Sequence, residues 1–221
     1  MAMQLTFDWP TGVALGAEDF FVTDANRAAY TMIAAPEIWP QGKLVLTGPE
    51  GAGKSHLTRV FAARHGAQLV SAEDLPDGLN PDRAVVVEDM DRLPPAREEA
   101  MFHLHNNLAA HRLPLLMTAR SHPARWAIAL PDLASRMQAT TPATITGPDD
   151  ALLQAVLMKL FADRQILPSP EVASYLVPRI ERSFASAQRI VAALDAAALT
   201  EKRAITVKLA AQVLDKQDGL L

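Results

Sequence analysis

One segment limits the possible folds more than any other. Gly48-Pro49-Glu50-Gly51-Ala52-Gly53-Lys54-Ser55 has the spacing G-x-x-x-x-G-K-S, and it lies between two opposed periodicities. The β-rich run Lys43–Thr47 (KLVLT) precedes it. After it, Leu57, Val60 and Phe61 recur at helical spacing, which predicts a helix from about Gly53 to Arg64. A strand that feeds a glycine-rich turn into a helix places backbone N–H groups at a helix N-terminus, where they can cradle phosphate oxygens. In that arrangement Lys54 reaches the terminal phosphates and the Ser55 hydroxyl ligates Mg²⁺. The candidate cradle is Gly48, Glu50, Gly51, Ala52, Gly53, Lys54, Ser55 and the following His56.

The rest of the chain supports an α/β reading. Ala84–Val87 is a run of small and β-branched apolar residues, expected as a strand buried on both faces of a parallel sheet. It ends in Glu88-Asp89, an acidic pair placed to hold the Mg²⁺ shell (Glu88) and to polarise a water (Asp89). Asp91 reads as a loop or cap residue. Further strands are expected at 68–71, 113–118 and 144–146, with helices over 25–35, capped by Asp24, and over 94–111, opened by Pro94 and Pro95. After Gly147-Pro148 only helical periodicity remains, at 149–166, 171–181, 184–200 and 206–216. The expected organisation is a short tail over 1–11, an αβα domain over 12–147 and a small all-α domain over 148–221.

Composition removes several classes of function. The 221 residues hold no cysteine, so neither a disulfide framework nor a thiolate metal site is available. Net charge is −4, which gives no bulk field toward nucleic acid. No leader-like or membrane-length apolar run occurs, so a cytoplasmic, membrane-free protein is expected. His103 and His105 stand two apart on a predicted helix, cannot share a face, and read as surface or boundary residues rather than a metal pair.

These segments together resemble the DnaA/Hda family of AAA+ P-loop proteins, Hda being the regulatory inactivator of the replication initiator DnaA. GPEGAGKSHL is similar to the family's phosphate loop, and Phe21-Val22 with Asn26 to its adenine-side segment. Leu130-Pro131-Asp132-Leu133-Ala134-Ser135-Arg136 resembles the segment carrying its arginine finger, with Arg136 at the finger position. Gln4-Leu5-Thr6-Phe7 resembles a sliding-clamp-binding peptide, with Gln4, Leu5 and Phe7 as its contacts. Leu221 follows soon after the lid-like helices, so no origin-reading domain like that of DnaA is expected. The resemblance implies an ADP- or ATP-binding regulator of replication initiation that uses Mg²⁺. It would dock on the DNA polymerase sliding clamp, meet DNA through the clamp, and promote hydrolysis of DnaA-bound ATP in trans. Its own ATPase is expected to be weak or absent, and its state a monomer or a nucleotide-dependent dimer. The alternative is an autonomous AAA+ ATPase acting on DNA, initiator-like or helicase-loader-like. Three positions depart from the family. The first acid is Glu88 where Asp is usual, Ala119-Arg120 stands where a polar sensor is expected, and Ala185 takes the place of a lid arginine. Arg189, one turn later, is the candidate replacement, with Arg182 also nearby.

Overall fold

The computed structural model describes residues 21–218. The tail with Gln4, Leu5 and Phe7 therefore lies outside the described residues. Five parallel strands, β1 (Lys43–Thr47), β2 (Gln68–Ser71), β3 (Val85–Glu88), β4 (Leu115–Ala119) and β5 (Pro142–Thr144), form one sheet in the order β2-β3-β4-β1-β5. β4 is thus inserted between the strand that feeds the glycine-rich loop and the strand that ends in the acidic pair. All five residues of β1 and of β4 are buried, as expected for strands covered on both faces.

Alternation along the strands builds a core on each face. On one side Leu44, Leu46, Val86 and Leu116 pack with Leu57 and Phe61 of α2 (Lys54–His65) and with Ala29 and Ile33 of α1 (Arg27–Ala34). Trp39 stacks on Phe61 with ring centroids 5.2 Å apart and donates its indole N–H to Met32 O at 2.6 Å. On the other side Val45, Val85, Val87, Leu115 and Met117 meet Met101, Leu104 and Leu108 of α3 (Glu98–Ala110) and Leu133 and Met137 of α4 (Pro131–Ala139). The C-terminal helices α5 (Asp150–Asp163), α6 (Pro170–Leu176), α7 (Phe184–Glu201) and α8 (Val207–Asp218) enclose a third core around Leu157, Phe161, Val191 and Leu194. Leu152 and Phe184 of this bundle belong to the first sheet core and join the two units. Among the described residues no helix is long and apolar enough to cross a membrane.

Several elements differ from the sequence expectation. Asp24 is not a helix cap. Its carboxylate pairs with Arg27 at 3.2 Å, and the helix starts two residues later because Asn26 organises the turn before it. β5 runs over 142–144 rather than 144–146. As an edge strand it admits Pro142, whose missing N–H disfavours it elsewhere in a sheet. The segment expected as one helix over 94–111 is a 3₁₀ turn at Pro95–Arg97 followed by α3. Helix α4, which carries Arg136, was not assigned from periodicity, because only Leu133 and Met137 of its nine residues are buried.

Candidate functional site

Parallel pairing brings the ends of β1, β3 and β4 to one edge. Thr47 lies opposite Ala119 and Val87 opposite Met117, so Gly48, Thr118 and Glu88 are neighbours at the C-terminal edge, the usual ligand crevice of open parallel sheets. The loop there requires its glycines. Gly51 and Gly53 have φ of 77° and 87°, a region L side chains disfavour, and a Cβ on Gly48 would stand 2.8 Å from Ile145 O. Lys54 is buried in the first turn of α2, and its Nζ donates to Gly48 O at 2.8 Å and Pro49 O at 2.9 Å. Burial lowers the pKa of this ammonium. Asp89 and Asp91 oppose the shift, Arg120 adds to it, and Glu50 opposes it.

Glu88 and Ser55 are connected through a residue absent from the sequence reading. Thr58, fully buried one turn along α2, has its hydroxyl 2.8 Å from Glu88 Oε1 and 3.0 Å from Ser55 O. A hydroxyl and a carboxylate on adjacent elements are hard oxygen donors, the kind that hold Mg²⁺ together with substrate phosphates and water. Ser55 and Glu88 are the residues of this donor type that would hold such an ion. Asp89 has left-handed backbone angles (φ 57°, ψ 48°), and its N–H donates to the buried Thr118 hydroxyl at 3.1 Å. That bond uses the acceptor side of Thr118 and leaves its hydrogen for another oxygen. Arg120 spans the mouth: its N–H donates to Asp91 Oδ1 at 3.2 Å, and its guanidinium pairs with Glu50 Oε2 at 3.2 Å. Asp91 is therefore an anchor for Arg120 as well as a loop residue.

Three other expected site residues have specific placements. Asn26 is buried with both ends of its amide engaged: Oδ1 accepts from Thr23 N at 2.8 Å and Nδ2 donates to Phe21 O at 2.9 Å. It shapes the Phe21-Val22 segment rather than offering a free amide. Arg189 is exposed and pairs with Glu181 at 3.6 Å. The lid residues against the loop are Phe184 and Gln188, which a Cβ on Gly51 would meet at 3.0 and 3.1 Å. Arg182, the other lid arginine, is held by Asp150 at 2.8 Å.

Arg136 lies at the opposite edge. It occupies the last turn of α4, and its guanidinium stacks over Phe102 at 5.0 Å. Its charge is felt by Lys43, the first residue of β1, whereas the loop follows the last. Arg136 lines a cavity with Pro40 and Gln41, just ahead of β1, and the five strand residues set that level about 13 Å from the loop. Glu98 positions the segment leading into α4. Buried at the start of α3, it accepts Ala129 N at 2.9 Å and Leu130 N at 2.7 Å. Its position behind two prolines marks a helix start in the sequence, but its partners thirty residues away leave no local signal.

Residues 150–214 match the family model described as Hda, lid domain. Over 90% of its length the chain superposes on 95% of domain III of the Thermotoga maritima replication initiation protein DnaA, with a TM-score of 0.71 and 16% identity. The C-terminal helices are thus similar to an Hda lid, and the chain has the fold of DnaA domain III. The AMPPCP-bound DnaA of Aquifex aeolicus is also similar, with a TM-score of 0.64 and 17% identity over 81% of this chain and 64% of that one. In sequence, an uncharacterized protein of Haemophilus influenzae is 25% identical over 183 residues, 76% of this chain and 79% of its own length.

Proposed function

We propose that this protein is a DnaA-related regulator of replication initiation that binds ADP or ATP at residues 48–55 and acts through Arg136 on ATP held by DnaA. The observation that carries the reading is the separation of Arg136 from the loop of its own chain by the length of β1, which suits an arginine working on another molecule's nucleotide. The Hda-type lid and the DnaA fold support the choice of partner, and the AMPPCP bound by the Aquifex DnaA supports the choice of ligand. The backbone N–H groups of the loop and the N-terminus of α2 receive phosphate oxygens. Lys54 would exchange its two carbonyl contacts for phosphate, and Ser55 and Glu88 would hold Mg²⁺, which would neutralise phosphate charge. Phe21 and Val22, shaped by Asn26, border the base side.

In the partner's site water attacks the γ-phosphorus and the bond to the β–γ bridging oxygen breaks. Arg136 stabilises the negative charge that builds on the transferring oxygens, a contribution on the order of 10³–10⁵ in rate for such arginines. Gln4, Leu5 and Phe7 tether the protein to the sliding clamp, which brings it to DNA. Its own turnover is slow, since Glu88 adds a methylene to the metal-holding arm and Arg120 spans the mouth between Asp91 and Glu50.

The test is hydrolysis of DnaA-bound ATP with this protein, Mg-ADP and clamp loaded on DNA. Stimulation by the wild type that is lost in Arg136→Ala and in Gln4→Ala is the expected result. A wild type that binds the clamp and leaves DnaA-bound ATP intact would refute the in-trans role.

A further inference from the structure

Around Arg136 lies a cluster of basic groups with no ion-pair partner among the described residues. Lys43 is only 2% exposed, and its ammonium has one polar contact, Gln41 O at 3.3 Å. His105, 3% exposed on α3, has its Nδ1 buried without a partner. Among the described residues no carboxylate lies within ion-pair distance of Lys43 or Arg136. Buried cations in folded proteins are ordinarily paired, because the desolvation penalty otherwise stands uncompensated. The charges here instead oppose one another. Burial lowers the Lys43 pKa and Arg136 lowers it further, while burial, Lys43 and Arg136 together push His105 down to about 4.

A cavity of about 280 Å³ opens beside this cluster, lined by Pro40, Gln41, His105, Ser135, Arg136 and Thr140. That is several times the roughly 30 Å³ share of a water molecule. Its hydroxyls have their hydrogens engaged: Ser135 donates to Asp132 O at 3.0 Å and Thr140 to Arg136 O at 2.9 Å. The donors left are the His105 imidazole, the Gln41 amide and the edge of the Arg136 guanidinium, whose face rests on Phe102. They come from three different elements, which suits an ion with oxygens in several directions better than a planar carboxylate. Gln41 also holds left-handed backbone angles (φ 55°, ψ 22°), rare for a residue with a side chain, and this turns its carbonyl onto Lys43.

We propose that this cavity is a second anion site, which takes a tetrahedral oxyanion of the phosphate class between Arg136, His105 and Gln41, with Lys43 beneath as the buried counter-charge. The site deepens the reading of Arg136 as a phosphate-seeking group but rests on the pocket's own residues, and it does not require DnaA. Two sources share the chemistry: free inorganic phosphate, and the phosphate chain of a nucleotide carried by another molecule.

The test follows the His105 side-chain ¹H–¹⁵N resonances of the full chain, in excess Mg-ADP to occupy the loop and at ionic strength held constant with chloride. Inorganic phosphate and tripolyphosphate are titrated separately. A saturable shift at His105 is expected, weakened at least tenfold in Lys43→Met and in Arg136→Ala, with ADP affinity unchanged in both variants. Tripolyphosphate binding tenfold tighter than phosphate identifies a nucleotide-type chain as the source, and equal affinities identify the free ion. Absence of a saturable shift, the same shift with chloride alone, or undiminished affinity in the variants would overturn the proposal. Arg136→Ala, a surface change, keeps the test decisive if Lys43→Met folds poorly. Loss of the His105 response alongside intact stimulation of DnaA would remove this site and leave the in-trans reading standing.

Discussion

The two edges of the sheet carry basic residues in opposite settings. At the C-terminal edge Lys54 and Arg120 stand among Glu50, Asp89 and Asp91, with Glu88 beside them on Thr58. At the N-terminal edge, among the described residues, Lys43 and Arg136 have no carboxylate within ion-pair distance, and both push against His105. Mixed charge suits a phosphate chain that arrives with a divalent cation, since the carboxylates bind the metal and the lysine binds the oxygens. Cations alone suit an anion that arrives without a metal, or one whose metal is held by another molecule. On the proposed reading the sheet separates holding a nucleotide from acting on one.

The largest expected effect probes the mixed edge. Lys54→Ala removes the cation from the loop and should weaken ADP binding about a hundredfold or more, roughly 3 kcal/mol by calorimetry, while leaving the fold intact. The next probes the cationic edge through pH. Burial, with the facing Lys43 and Arg136, pushes His105 down to about 4 from 6.5 for the free group, against a weaker opposing effect of Asn106. Between these values the unfolded chain binds a proton that the native state refuses. Stability should therefore fall as pH drops from 6.5 to 4, by about 3 kcal/mol, with no further loss from this group below. His105→Gln should flatten that part of the urea-derived stability profile. If it does not, the cationic edge is not electrostatically strained.

Glu98→Ala is expected to cost about 2 kcal/mol in chemical denaturation, because it leaves Ala129 N and Leu130 N without their acceptor. It should also reduce Arg136-dependent activity while sparing ADP affinity. The smallest effect is at the mouth of the loop. The Arg120–Glu50 pair is solvent-exposed, so Arg120→Ala should change stability by less than about 1 kcal/mol. A larger loss would mean that this pair holds the loop rather than guarding it.

The mixed edge was legible in the sequence because its parts are local. Five loop residues and a lysine sit next to one another, and the acidic pair ends a clean apolar run. Such patterns survive in one dimension. Thr58 follows Ser55 by one helical turn, and helical projection alone could have paired them. The cationic edge was not legible. Lys43 opens a strand, His105 sits mid-helix and Arg136 ends a helix, and only the β4 insertion and the crossing of α3 and α4 bring them together. His105 read as a surface or boundary residue, yet it is buried, because α3 turns that side toward Lys43 and α4. Arg189 pairs with Glu181 at the surface. α7 meets the loop with the face that carries Phe184 and Gln188, one turn apart, and Arg189 is rotated about 100° from Gln188.

The division of labour between the edges is tested most directly by measuring ADP affinity and stimulation of DnaA-bound ATP hydrolysis on one preparation of Arg136→Ala. The account predicts ADP affinity within twofold of wild type and stimulation lost by at least a hundredfold. An Arg136→Ala protein that loses ADP binding as Lys54→Ala does would place Arg136 in its own chain's nucleotide site and contradict the account.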